Sequence, residues 1–288
     1  MKPARVRASR RVAGGLAFGL SLAVLGAVTL LAAWPGLVTS QSPTRQSLLD
    51  RHRPPGHVDE AGRAHPLGTD HLGRDVWSRL IHGARASLTV GYAGLLLGAG
   101  LGVTLGLAAG FRGGALDRGL VGLIDAYLSF PYVLIAIVWA ALVRMTIGTL
   151  VVIIALRGWV EFARVVRAQV QSIREREFVV AARALGGSDV RLAARHVLPN
   201  ARGAILVIAG FQLGRLILLE STLSFLGLGI QAPTPAWGGM LADARLYLTQ
   251  AWWTVAFPGA AISLVVLAAN FLGDSVRDRL DPTIRGRL

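Results

Sequence analysis

The sequence predicts an all-α membrane protein of about six transmembrane helices, and three observations carry that expectation. Hydrophobic residues make up 53% of the 288 positions and charged residues only 16%, where a soluble domain carries about 25% charge. Six stretches read as spans, because a helix needs about 20 apolar residues to cross the hydrocarbon core. Arginine is also spread unevenly over the connections, as loops on the two sides of a membrane require.

The first stretch, Gly14–Trp34, has no charged residue. It lacks an A-x-A cleavage site at its end, so it reads as an anchor rather than a removable signal segment. A long polar connection follows. Near its end Val76, Trp77, Leu80, Ile81 and Ala84 form one helical face, with Arg74, Asp75, Ser78, Arg79 and His82 opposite. Such a face can lie along the membrane surface, although a lead-in to the next span is the favoured reading. That second span, Ser87–Gly110, places Gly94, Gly98, Gly102, Gly106 and Gly110 four residues apart, a spacing that lets helix backbones approach closely.

The third span, Gly119–Val143, is interrupted only by Asp125. The fourth, Thr146–Ala163, is weaker because it holds Arg157 and Glu161, which stand four apart and can pair on one helix face. Gly203–Gly229 and Thr254–Gly273 complete the six. The organisation that results is an anchor and loop over residues 1–85 and a five-helix core over 86–288. A basic loop interrupts that core at about 164–202.

Orientation follows from the positive charges. With the N-terminus cytoplasmic, the inner segments hold Lys2 and four arginines at the start, then Arg112 and Arg118. Eight more arginines fall between Arg164 and Arg202, and four lie in the tail from Arg277 to Arg287. The outer segments hold nine, seven of them in the first loop. Both termini are therefore expected inside and residues 35–85 outside. Trp34, Trp139, Trp252 and Trp253 then fall near the outer interface as an aromatic belt.

Within the basic loop, the stretch AARALGGSDVRLAARHVLPN (181–200) reads as a helix–turn–helix. Glu177 to Leu185 makes a helix end, and Gly186-Gly187 a C-terminal cap and turn. Ser188 can cap a new helix with Asp189 in its first turn, and Pro199 is expected to end it. The loop suits three roles: a lipid-held basic surface, a DNA-binding motif, or a docking lever for a cytoplasmic partner.

Several chemistries are excluded. The sole lysine is Lys2, so no P-loop lysine can reach an ATP phosphate. There is no cysteine, hence no thiolate metal site or cysteine nucleophile. H-E-x-x-H and G-x-S-x-G motifs are missing as well. Five of six histidines (His52, His57, His65, His71 and His82) lie in the first loop, but their gaps are irregular for a metal site. Charged residues inside spans are functional candidates by default. Asp125 and Glu220 are candidates to line a pathway and meet a peptide amine or a cation. Pairing with arginines across helices is the plainer alternative for Asp125, Arg157, Glu161, Arg215 and Glu220.

The stretch EFVVAARALGGSDVRLAARHVLPN resembles the cytoplasmic coupling loop of ABC importer permease subunits. That motif reads E-A-A, three residues, G, and later a hydrophobic-Pro pair. Ala181, Ala182, Gly186, Leu198 and Pro199 match, while Val180 stands where the motif has glutamate. HPLGTDHLGRDVWSRLIHGARASLTVG (65–91), ESTLSFLGLGIQAPTPAWGGML (220–241) and NFLGDSVRDRLDPTIRGRL (270–288) are similar to the C-type subunit of the dipeptide, oligopeptide and nickel branch. The resemblance implies a multi-pass subunit of the bacterial inner membrane that forms half of a peptide pathway. A second, B-type permease subunit completes that pathway. Two cytoplasmic ATPases hold the ATP and Mg, an extracytoplasmic binding protein delivers substrate, and this chain carries no cofactor and binds no nucleic acid. It further implies that Ala181, Ala182, Leu185 and Gly186 belong to the helix that couples to the ATPase. Nickel, glutathione or an opine are alternative cargoes within the branch. An ion-driven secondary transporter is the alternative from another class, and a DNA regulator is disfavoured by the loop's confinement between spans.

Overall fold

The computed structural model describes residues 3–280, and of residues 3–14 only the backbone. Lys2, Arg285 and Arg287, counted above for orientation, and the end of the 270–288 motif lie outside the described residues. Ten α-helices follow in order: α1 (Pro3–Ala33), α2 (Val76–Arg112), α3 (Gly114–Leu128), α4 (Tyr132–Leu142), α5 (Ile147–Arg174), α6 (Glu177–Ala184), α7 (Asp189–Leu192), α8 (Leu198–Phe225), α9 (Trp237–Ala244) and α10 (Trp253–Leu280). A two-stranded antiparallel ribbon, β1 (His57–Val58) with β2 (Ala64–His65), pairs His57 with His65. Four helical segments, Gly15–Ala33, Val76–Arg112, Asp189–Phe225 and Trp253–Leu280, are long and apolar enough to cross a membrane; counting α3 with α4 as one span makes five.

The lead-in before the second span is part of one 37-residue helix. At 1.5 Å per residue α2 is about 55 Å long, far more than a hydrocarbon core of about 30 Å. It starts at Asp75, whose carboxylate accepts the Ser78 amide at 2.6 Å, a side-chain cap on an otherwise unsatisfied N–H. The boundary drawn at residue 85 thus falls inside a continuous helix.

The third expected span is not straight. α3 and α4 meet at 79°, because Pro131 lacks an N–H and cannot continue the helical ladder; it caps α4 instead. The fourth span extends well past Ala163, to Arg174. Arg157, Glu161 and the basic residues of its second half keep α5 from reading as a membrane helix on composition. Its burial explains how it is accommodated: Val160, Phe162, Ala163, Val166 and Val170 are fully enclosed by neighbouring helices.

The glycine stripe of α2 lies against α5. A Cβ at Gly98 would stand 3.0 Å from the Ala155 carbonyl and one at Gly102 only 2.3 Å from that of Trp159. At Gly106 and Gly110 the nearest atoms are the carbonyls of Ala163 and Arg167, at 2.6 and 2.8 Å. The two backbones therefore touch at four-residue steps, and only a residue without a Cβ fits. Gly91 makes a similar approach to Ile217 of α8, and a Cβ at Gly210 of α8 would stand 2.6 Å from the Gly273 Cα of α10. α1 closes the bundle against α10 and α2, with Thr29 Oγ1 2.8 Å from the Tyr92 hydroxyl.

Gly100, on the same helix, has nothing within 4 Å of its added Cβ. Gly102→Ala should therefore lower the thermal unfolding midpoint of the detergent-solubilised protein, by about 1–3 kcal/mol of overpacking. Gly100→Ala should leave it unchanged or raised, since alanine is the better helix former by about 1 kcal/mol.

Candidate functional site

At the end of the bundle where α2 finishes and α5 leaves, the basic loop folds into α6, a turn and α7. α5 stops at Arg174, and Arg176 in extended conformation begins α6. The expected helix end over Glu177–Leu185 is thus a separate helix. It is seated by Val179, which is fully buried, and by half-buried Ala182. Both pack into a cluster with Phe111, Val170, Ile173, Leu192 and Val197. Arg183 adds a guanidinium 5.4 Å above the Phe111 ring, a cation–π contact.

The turn after α6 closes as the glycines lead one to expect. Gly186 sits at φ +84°, its amide donates to the Arg183 carbonyl at 3.0 Å, and Gly187 donates to that of Ala182 at 3.2 Å. These two bonds are the Schellman cap, and the left-handed backbone at Gly186 is the conformation glycine adopts without penalty. Gly187 is needed for space: a Cβ there would lie 2.8 Å from the Ala182 carbonyl. Ser188 precedes α7, but its side chain makes no capping bond.

Pro199 does not end the second helix. α7 runs through a π-helical turn, Ala193–Val197, into α8, and the helix is continuous from Asp189 to Phe225. The wider turn pairs the Leu198 amide with the Ala193 carbonyl, and Pro199 then falls in the first turn of α8, where its missing N–H costs little. The Asn200 amide donates to the His196 carbonyl at 2.6 Å.

The four residues expected to form one contact surface divide in two. Ala181 and Leu185 face outward with Gly186, whereas Ala182 turns inward. Leu185 is 89% exposed, Val190 74% and Val180 53%, so an apolar tip projects from a helix that is anchored from behind. Arg183, Arg191 and Arg195 stand exposed around it.

The intramembrane carboxylates behave differently from one another. Glu161 lies 3.9 Å from Arg157 and 3.8 Å from Arg215, as the pairing alternative expects. Asp125 is 3.6 Å from Arg164 and largely exposed. Glu220 is fully buried and takes hydroxyl donors rather than an arginine: Ser224 at 2.7 Å and Ser221 at 3.4 Å. Asp125 on α3 and Glu220 on α8 are not brought together. The sequence reading missed the pair of Asp117 with Arg167, fifty positions apart; no local pattern links them.

Comparison with known proteins gives the family of the chain. Residues 102–286 match the family described as binding-protein-dependent transport system inner membrane component. The chain belongs to that family. It is 39% identical over 266 residues to the dipeptide transport system permease protein DppC of Alkalihalophilus pseudofirmus, covering 92% of this chain and 86% of that one. It is 34% identical to the oligopeptide transport system permease protein OppC of Bacillus subtilis, over 93% and 85% of the two chains. The glutathione transport system permease protein GsiD of Pectobacterium atrosepticum is 40% identical over 77% of this chain and 74% of its own. The chain is thus a transport permease subunit rather than an enzyme, and α6 with its glycine turn lies inside the matched region.

The opposite end of this permease carries a folded polar layer, in which residues before the matched region meet α9 and the start of α10. Asp70 accepts from Arg74 at 2.7 Å and from Arg79, and both arginines reach Asp243 near the end of α9, at 3.1 and 3.2 Å. Trp253 Nε1 donates to the Thr69 carbonyl at 3.1 Å, and Trp237 Nε1 to that of Leu80 at 2.9 Å. The histidines of this layer serve its packing. His65 Nδ1 is 2.9 Å from Asp75, and His52 and His71 lie against Tyr247. Among the described residues no three His, Asp or Glu converge as metal ligands.

Charge sets the acid limit of this layer. The Arg63 side chain, hydrogen-bonded at 2.6 Å, holds the Asp59 carboxyl at about 2. Burial pushes Asp70 up, but Arg79 and Arg74 outweigh it and keep that carboxyl below its usual value. Both carboxylates are thus more acidic in the fold than in the unfolded chain, where the value is about 3.9. The contribution of Asp59 is complete above about pH 4 and is lost as pH falls towards about 2, and that of Asp70 is lost in the same direction. The thermal midpoint of the purified protein should fall between pH 5 and pH 3, and Asp59→Asn should reduce that fall.

Proposed function

We propose that this chain is one of two permease subunits of an ABC importer for di- or oligopeptides, with the α6 end cytoplasmic and the polar layer outside. In this reading a B-type permease completes the pathway, and two cytoplasmic ATPases bind ATP and Mg. An extracytoplasmic binding protein delivers the peptide, and both termini lie on the cytoplasmic side of the bacterial inner membrane. The observation that carries it is the apolar tip of α6 and α7. Val180 on α6, Leu185 at its end and Val190 on α7 are exposed around a turn whose first helix Val179 and Ala182 hold to the bundle. An exposed apolar group at a rigid turn, rimmed by arginines, suits insertion into a pocket of a soluble partner. Peptides are favoured as cargo by the names of the relatives. Glutathione is the second reading, favoured by the relative that is 40% identical. Asp125 and Glu220 remain candidate pathway groups; the burial of Glu220 means that it would have to be uncovered by movement of α8 against its neighbours.

The tip and the seat of α6 should respond differently to charge. Leu185→Glu should leave insertion and pairing with the sister permease intact yet weaken recovery of the ATPase. Loss of one central apolar anchor costs about 2 kcal/mol, roughly thirtyfold in affinity. Ala182→Glu should lower the thermal stability of the permease itself, because the charge would enter the Phe111–Val170–Leu192 cluster without a partner. Arg191→Ala, on the basic face, should be milder than either. Co-purification of the ATPase at normal yield with Leu185→Glu would refute the docking role.

Orientation is tested by single cysteines in this cysteine-free chain. A cysteine at Gly56 should react with an impermeant maleimide from the outside only, and one at exposed Ser188 from the cytoplasm only. The reverse pattern would invert the assignment.

A further inference from the structure

The turn between α2 and α3 consists of two glycines at positive φ, Gly113 at +70° and Gly114 at +61°. That pair is a swivel, because neither residue brings a side chain to restrain its backbone. Beyond it α3 is lightly held: only Leu120 and Ile124 are buried along its length. Its tightest polar fastening is Asp117, in the first turn; further along, exposed Asp125 stands 3.6 Å from Arg164 of α5. Arg167 of α5 grips that carboxylate with both arms of its fork, Nε to Oδ1 at 2.5 Å and Nη2 to Oδ2 at 2.7 Å, and Gln171 reaches both oxygens at 3.3 Å. A bidentate guanidinium–carboxylate pair fixes direction as well as distance. About two turns further along α5, Arg174 Nη1 donates to the carbonyls of Gly110 and Phe111 at 2.9 and 3.3 Å. α6 begins three residues after Arg174 and places Arg183 over the same Phe111.

These contacts form one chain of attachment from the docking helix to the bent span. α6 bears on Phe111 and on the end of α5; α5 holds α3 through Arg167 and Asp117; α3 carries α4 across the 79° bend. A swivel at Gly113-Gly114 without a fastening would let α3 stay still while α6 moved. We infer that the Arg167–Asp117 pair is the positioning link that makes the α3–α4 unit follow α6. Force from the ATPase thereby reaches the membrane-spanning part of the pathway. The inference rests on the importer reading above and adds to it a pair of residues that belongs neither to the exposed tip nor to the candidate pathway groups.

The test uses the whole importer, with sister permease and both ATPases, reconstituted in liposomes with its binding protein and a radiolabelled dipeptide. Dipeptide imported per ATP hydrolysed is measured beside ATPase recovery. Asp117→Asn keeps the side chain's shape and removes its charge, and should lower the ratio about tenfold at normal ATPase recovery, within the range of typical site-to-site coupling. Arg167→Lys, which keeps the charge and loses the fork, should lower it less. The reversed pair, Asp117→Arg with Arg167→Asp, should recover most of the lost ratio. A wild-type ratio in Asp117→Asn would overturn the inference. If Asp117→Asn fails to assemble, the reversed pair decides: recovery of yield and ratio together supports the link, and recovery of yield alone makes the pair merely structural and overturns it. A wild-type complex without ATP-dependent uptake would overturn the importer reading instead.

Discussion

The contact on which the rest of the molecule depends is the approach of α2 to α5. From Gly98 to Gly110 the α2 backbone lies against successive α5 carbonyls, with room for hydrogen but not for a methyl group. Two apolar helices gain little by leaving lipid for each other, so association inside a membrane relies on close packing. Here closeness is obtained by removing side chains from one helix. It also solves a problem of composition, because α5, with Arg157, Glu161, Arg164 and Arg167, is poorly suited to face lipid along its whole length. Enclosed by α2 on one side and α8 on another, it can run without a break to Arg174 and deliver the chain to α6.

The same helix pair connects the two working ends. α2 extends beyond its apolar stretch, starting at the Asp75 cap within the polar layer and ending at Arg112 beside the α6 seat. At the first end Arg74 and Arg79 join the layer to α9 through Asp243; at the other, Arg174 clasps the last carbonyls of α2. Under the importer reading proposed above, a stiff member spanning both ends keeps their geometry in register. The segments attached to it by glycine turns and prolines, α3–α4 above all, are the ones left able to move.

Around α6 small and flexible residues are divided by task. Gly186 supplies a backbone conformation, Gly187 supplies room beside Leu192, and Ala182 supplies a thin contact to the Phe111 cluster. The exposed apolar groups, Leu185 and Val190, lie on either side of that turn. Val180, where the family motif has glutamate, is itself half-exposed on the same helix, so the substitution enlarges an apolar surface and does not disturb the fold.

Much of this was determined by the sequence alone, wherever the physics is local. Apolar length marks α1, α2, α8 and α10 as able to span; the four-residue glycine spacing marks a close helix contact; Gly186 marks a left-handed cap. Each follows from neighbours along the chain. Tertiary structure decided what depends on residues far apart. The break at Glu175–Arg176 has neither glycine nor proline, and it exists because Ile173 and Val179 must enter the same cluster from two directions. Pro199 reads as a stop yet sits within a continuous helix, because a π-helical turn before it takes up the missing hydrogen bond. The pairing of Asp117 with Arg167, and of Arg74 and Arg79 with Asp243, was equally illegible. A buried charge or a fastened turn is satisfied by whichever group the fold brings within about 3 Å, and sequence spacing carries no record of that distance.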